Sequence, residues 1–196
     1  SIDLGDGQVL ISLSAHKIHG PRGVGALIVR NVTLDPVVCG GDQERGLRPG
    51  TENVAGIVGF AAAVELYPKD ASERMRLLRD RLIAKILEIP ESRLNGPVAQ
   101  RLCSHVHVSF RLIDSTTLVE HLSQAGVCVS AGSACHSARL NASHVLEAMR
   151  VSPEWSHGAL RLTLSGETTE KDIDDTIVTI KKVVADLRAV YVHRAV

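Results

Sequence analysis

The stretch "ENVAGIVGFAAAVELYPKD" sets proline at position 68, directly after a sixteen-residue apolar run, Glu52 to Tyr67. Proline lacks an N–H and its ring clashes with the preceding turn, so a helix written by that run stops there. This stop divides the chain. Residues 1–67 hold two short apolar runs, at 9–13 and 24–29, and one helix. That is too little to close a domain, because a parallel sheet needs both faces covered. Residues 1–67 therefore read as the end of a larger domain, and residues 68–196 as a smaller, self-sufficient α/β domain. The fold class is α/β.

Within the first part, the runs at 9–13 and 24–29 read as buried strands. Lys17, Gly20, Pro21, Gly23 and Gly25 crowd the turn between them, and "DPVVCGGDQERGLRPG" over 35–50 is a loop by composition. Thr51 is the predicted cap of the following helix. In the second part, Met75, Leu78, Leu82 and Ile86 fall on one face of an amphipathic helix over 71–88. "SHVHVSF" alternates as a strand does. A helix is predicted over 114–125, short strands at 127–130 and 159–164, and a long terminal helix over 168–191.

Composition removes several function classes. The 196 residues carry 22 basic and 22 acidic side chains, so no net field draws the chain to nucleic acid or an anionic membrane. Aromatics are 3%, too few for base-stacking surfaces. No apolar run is long enough to span a bilayer, and no secretory signal opens the sequence. Four cysteines, Cys39, Cys103, Cys128 and Cys135, form no CxxC pair, so a reducing compartment is the default reading.

Lys17 has the setting of a reactive amine. Ser12, Ser14, Ala15 and His16 precede it, and glycines follow. Desolvation lowers a lysine pKa, and a neutral amine can form a Schiff base; pyridoxal phosphate is the usual aldehyde partner. Ser14 and His16 are placed to serve its phosphate. The lysine comes before the glycines, so this is not a P-loop, and "GPRGVG" does not fit GxGxxG.

Cys135 lies in "VSAGSACHSARL", a run of small residues with no core to pack into. His136 and Arg139 favour a thiolate. It reads as a nucleophile on a mobile loop, whereas Cys39 and Cys128 sit in apolar runs and read as buried thiols. Cys103, His105 and His107 alternate and present a possible zinc face. Val106, Val108 and Phe110 already explain the segment as a strand, and no second ligand pair stands nearby, so no metal is assigned.

A Schiff-base lysine with a nucleophilic cysteine points to sulfur removal from an amino acid. "SAHKIHGPRGVGALIVR", "GGDQERGLRPGTENVAGIVG", "VSAGSACHS" and "LRLTLSGETTEKDID" together resemble, in order, the motifs of cysteine desulfurases of the NifS/IscS type. These are pyridoxal-phosphate enzymes of fold-type I, aminotransferase class V. The resemblance implies that residues 1–67 are the C-terminal part of the large cofactor domain and residues 68–196 the small domain bearing the cysteine loop. It implies that Lys17 carries pyridoxal 5'-phosphate, with Ser14 and His16 as phosphate ligands. It implies that Thr51 reaches the phosphate of a partner subunit, Cys135 accepts sulfur as a persulfide, and Arg161 binds the substrate carboxylate. Implied partners are L-cysteine, a sulfur acceptor or iron–sulfur scaffold, and a second subunit or complementary N-terminal half. The implied location is the cytoplasm, organelles being open. Selenocysteine lyase shares the scaffold, and a non-catalytic scaffold completed by a partner is the reading from another class. His19 replaces a usual aromatic, Asp42 interrupts a glycine run, and Ala131 replaces a common serine. Only sixteen residues precede Lys17, so the family's ring-stacking histidine and ring-nitrogen aspartate have no counterpart upstream of it.

Overall fold

A computed structural model describes residues 5–131 and 143–194, the last four by backbone alone. The chain divides into two compact units, Ser1–Pro68 and Lys69–Val196.

In the first unit, strand β1 (Val9–Ser14) pairs with β2 (Gly25–Arg30), Val9 opposite Arg30 and Ser14 opposite Gly25. The pairing is antiparallel, not the parallel arrangement inferred above. The ten-residue connection is too short for a crossover, so the chain folds straight back. Helix α1 (Val54–Leu66) follows the 35–50 loop. Its cap is Asn53 rather than Thr51: the Asn53 side chain accepts from the Gly56 N–H at 3.0 Å. Among the described residues of this unit only Ala15 and Gly56 are buried. Leu10, Leu27 and Val58 are each more than half exposed, so neither the hairpin nor the helix covers its apolar side chains within the unit.

The second unit has a proper core. Its elements are α2 (Ala71–Ile86), β3 (Ser92–Leu94), β4 (His105–Phe110), α3 (Ser115–Gln124), two short helices α4 (His144–Ala148) and α5 (Pro153–Ser156), β5 (Ala159–Thr163) and α6 (Glu170–Arg194). The sheet order is β3-β4-β5, antiparallel throughout. Val106, Val108 and Phe110 of β4 and Leu160 and Leu162 of β5 share one face and are all buried. Against that layer lie Met75, Leu78, Leu82 and Ile86 of α2, Leu118 and Leu122 of α3, and Ile173, Ile177, Ile180, Val184 and Leu187 of α6. Each fully buried aliphatic or aromatic side chain contributes about 1.5–3 kcal/mol relative to exposure.

Local signals fix the helix starts. Asp114 accepts from the Thr117 N–H at 2.9 Å ahead of α3. Before α6, the Asp172 N–H donates to Thr169 Oγ1 at 3.2 Å, and the Thr169 N–H donates to Asp172 Oδ2 at 2.9 Å. This reciprocal box satisfies two donors that a helix start leaves over. Gly158 is required where the chain enters β5, since a Cβ there would lie 1.9 Å from the Phe110 carbonyl oxygen. The short strand predicted over 127–130 reduces to a single bridge at Ser130.

Candidate active site

Strand β1 delivers Ser14, in extended conformation, to a single 3-10 turn over Ala15–Ile18. Ala15 is fully buried and its N–H donates to the Val24 carbonyl at 3.2 Å, which pins the turn to the start of β2. His19 closes the turn at φ 65°, and the Gly20 N–H returns to the Ala15 carbonyl at 2.9 Å. The approach is so close that a Cβ on Gly20 would stand 2.9 Å from Ala15 Cβ. Across the unit, Pro21 lies against α1, where a Cβ on Gly59 would meet its ring at 2.6 Å. Ser14, His16 and Lys17 are thus carried by one braced turn, and all three are exposed. The burial expected around the Lys17 amine is not supplied by the first unit itself.

Thr51 is exposed at the end of the 35–50 loop. Within that loop Glu44 and Arg45 both take left-handed backbone angles, φ 49° and 59°. Non-glycine residues adopt that region only under constraint. Gln43 supplies part of it, accepting through Oε1 from the Gly50 N–H at 3.1 Å.

Arg161 stands in β5, half-buried. The Phe110 N–H donates to Gly158 and the Leu164 N–H to Ser104. These bonds make 106/162 and 108/160 the hydrogen-bonded pairs. His107 and Arg161 are therefore a non-hydrogen-bonded pair, the type whose side chains stand closest. On its other side Arg161 exchanges both backbone bonds with Ser130, at 2.8 and 3.1 Å. His107, Arg161 and Ser130 lie side by side across the sheet. Among the described residues Arg161 forms no ion pair. Cys135 lies outside the described residues.

The candidate metal set does not form. Cys103 precedes the strand, and no cluster of metal-binding side chains exists among the described residues. His105 and His107 instead stack, centroids 6.1 Å apart at 15°. Asn95, 5% exposed, sets Nδ2 2.9 Å from His107 Nδ1 and donates to Ser109 Oγ at 2.8 Å, while its Oδ1 is buried without a partner among the described residues. The Asn95 N–H also donates to the His107 carbonyl at 2.8 Å, and its own carbonyl accepts from Arg101 at 2.9 Å. Burial, followed by the positive fields of His105, Arg161 and Arg101, holds the His107 imidazole down to about 4. Asn95 and its contact with His107 escape a reading by motif. The available signal is the asparagine ahead of Gly96 and Pro97.

In comparisons with known proteins, the family described as Aminotransferase class-V matches residues 1–175. A cysteine desulfurase of Bradyrhizobium diazoefficiens is 44% identical over 185 residues, 92% of this chain and 47% of that protein. A solved NifS-like protein superposes with a TM-score of 0.79 at 37% identity, covering 90% of this chain and 46% of the other. A structure described as SspA in complex with cysteine matches with a TM-score of 0.61 at 31% identity, over 82% of this chain and 45% of that one. The chain spans about half the length of the curated relatives it matches.

Proposed function

We propose that this chain, which belongs to the aminotransferase class V family, is the part of a pyridoxal-phosphate cysteine desulfurase that carries its reactive lysine, its sulfur-accepting cysteine and its carboxylate-binding arginine. The donor set fits the cofactor: one braced turn bears a primary amine at Lys17, a hydroxyl at Ser14 and an imidazole at His16, matching an aldehyde and a phosphate. Thr51, on the strained loop before α1, is the further phosphate contact in a dimer. When bound, pyridoxal phosphate withdraws the electrons released at the substrate's α-carbon.

The remaining work falls to the chain. Arg161 takes the L-cysteine carboxylate through two parallel bonds. The Lys17 amine removes the α-proton. The Cys135 thiolate attacks the substrate sulfur, so an S–S bond forms as the C–S bond breaks. The electron pair stays on carbon, which takes a proton to give L-alanine, and the sulfur remains on Cys135 as a persulfide for an acceptor protein. The supporting observation is the Ser130–Arg161 pairing. Four residues separate Ser130 from Cys135, a span of at most about 18 Å of extended chain, so the nucleophile is tethered to the strand that binds the carboxylate.

The exposed apolar side chains of the first unit favour completion by the family's other half, in the same polypeptide or a companion. Among the described residues no helix is long and apolar enough to cross a membrane, and a cytoplasmic site of action fits a free thiolate nucleophile.

The test is borohydride reduction after adding pyridoxal phosphate, followed by peptide mapping, alongside assay of alanine and of persulfide at Cys135. A pyridoxyl group confined to Lys17, with sulfur on Cys135, supports the reading. Label scattered over surface lysines, or alanine formation that survives Cys135→Ala, sinks it.

A further inference from the structure

The polar face of the β3-β4-β5 sheet holds an imidazole for which the reaction above has no task. His107 sits directly across from Arg161 at a non-hydrogen-bonded pair, on the same face. Asn95 occupies the other side of β4, next to β3, with its Nδ2 on His107 Nδ1. With the Asn95 amide oriented as here, nitrogen toward the ring, Nδ1 accepts and the ring proton is assigned to Nε2. In an imidazole Nε2 lies on the flank away from Nδ1. With Nδ1 turned to β3, Nε2 lies on the β5 flank, where Arg161 stands.

We propose that His107 is a second, uncharged hydrogen-bond donor to the substrate carboxylate beside Arg161, held in its Nε2–H tautomer by Asn95. The inference rests on the desulfurase reading, since that reaction brings an amino-acid carboxylate to Arg161. A carboxylate offers more lone pairs than one guanidinium fork fills. A donor on the adjacent strand takes one of them and fixes the plane of the group. A neutral ring does so without repelling Arg161, and burial keeps this ring neutral at physiological pH. The anchoring is rigid: Asn95 is tied to β4 by side chain and backbone, and Ser109, fully buried, holds the second Nδ2 proton. His105 lies stacked alongside, its ring centroid 6.1 Å away.

Two measurements on the full protein, loaded with pyridoxal phosphate, test this. In the first, ¹⁵N spectra of the unmutated protein at neutral pH report the His107 tautomer while L-alanine or ethylamine is titrated in. The expected result is an Nε2–H ring whose Nε2 signal moves with L-alanine and not with ethylamine, which lacks the carboxylate. An Nδ1–H tautomer, or equal response to both ligands, overturns the inference. In the second, His107→Leu should raise KM for L-cysteine about tenfold, the worth of one hydrogen bond to a charged group, with kcat within twofold. His107→Gln, which keeps a neutral N–H, should restore most of that loss. A KM unchanged in His107→Leu, or a glutamine variant no better than the leucine one, also overturns it. If the unmutated protein makes no alanine from L-cysteine, the desulfurase reading falls, and the L-alanine titration still decides the role of His107 by itself.

Discussion

At the scale of single residues, His107 shows how surroundings set what a side chain can do. Its sequence context, alternating with Cys103 and His105, is that of a zinc ligand. The fold gives it Asn95 on one side and Arg161 on the other, with His105 stacked above and Arg101 nearby. The ring is held neutral down to about 4, against an ordinary value of 6.5, mainly by burial. The unfolded chain therefore binds a proton that the native protein refuses between those two values. Stability contributed by this group is intact above about pH 6.5 and falls as the pH drops toward 4, by no more than about 3 kcal/mol. Denaturant melts across that range should show the decline, and His107→Gln should flatten it. Arg79 makes the complementary point. It is 4% exposed, yet it is a charged residue on a helix. Its guanidinium is satisfied by Asp80 at 2.7 Å and by the Arg101 and Leu102 carbonyls at 3.2 and 3.0 Å, which fasten the loop leading into β4. Periodicity marks the apolar face of α2, but it cannot say that an arginine joins that face, because its partners come from a loop twenty residues away.

At the scale of elements, periodicity located β1, β2, β4, β5 and all four long helices, and misjudged details that depend on neighbours. Thr51 has the chemistry of a cap, but Asn53 has the geometry, because the helix begins at Val54. Asn53→Ala should therefore cost about 1 kcal/mol in thermal or urea melts, while Thr51→Ala leaves stability within about 0.5 kcal/mol. Equal losses from the two would return the cap to Thr51. The run at 127–130 has a strand's composition, but only Ser130 finds a partner, and that partner is Arg161. Whether a short apolar run becomes a strand depends on a free sheet edge beside it, which local sequence does not record. The short helices α4 and α5 were likewise invisible. Each is under two turns, and their packing is tertiary: Leu146, Val151 and Ala159 gather with Trp155, whose ring lies under the Arg93 guanidinium at 5.6 Å.

At the scale of the whole molecule, the two units differ in how completely they bury themselves. Among the described residues the second holds nearly all the buried apolar side chains, most of them in one layer of helices on one sheet face. The first leaves Leu10, Leu27, Val54 and Val58 between 51% and 65% exposed, with no core of its own. Residues 69–196 produced separately should unfold cooperatively, with Trp155, the chain's one tryptophan, reporting the transition by fluorescence. Residues 1–68 alone should show no cooperative melt by circular dichroism, because burial does not offset chain entropy there. A cooperative transition in the smaller piece would mean that its hairpin and helix are self-sufficient.

The chain's order of apolar runs, glycines and prolines was enough to determine the α/β class, the helical faces and the turn that carries Lys17. Those features follow from neighbours three or four residues away: alternation, helical spacing, proline's missing N–H, and the steric freedom of Gly20 beside Ala15. Its motifs likewise placed it in its family. What tertiary structure decided is everything that joins distant segments: the antiparallel pairing of β1 with β2, the pairing of Ser130 with Arg161, and the Asn95–His107–Arg161 row across one sheet face. Those contacts depend on strand register, and a register is chosen by the packing of the opposite face. Here the buried Val106, Val108, Leu160 and Leu162 lock β4 against β5, and the polar row on the other side follows from that lock.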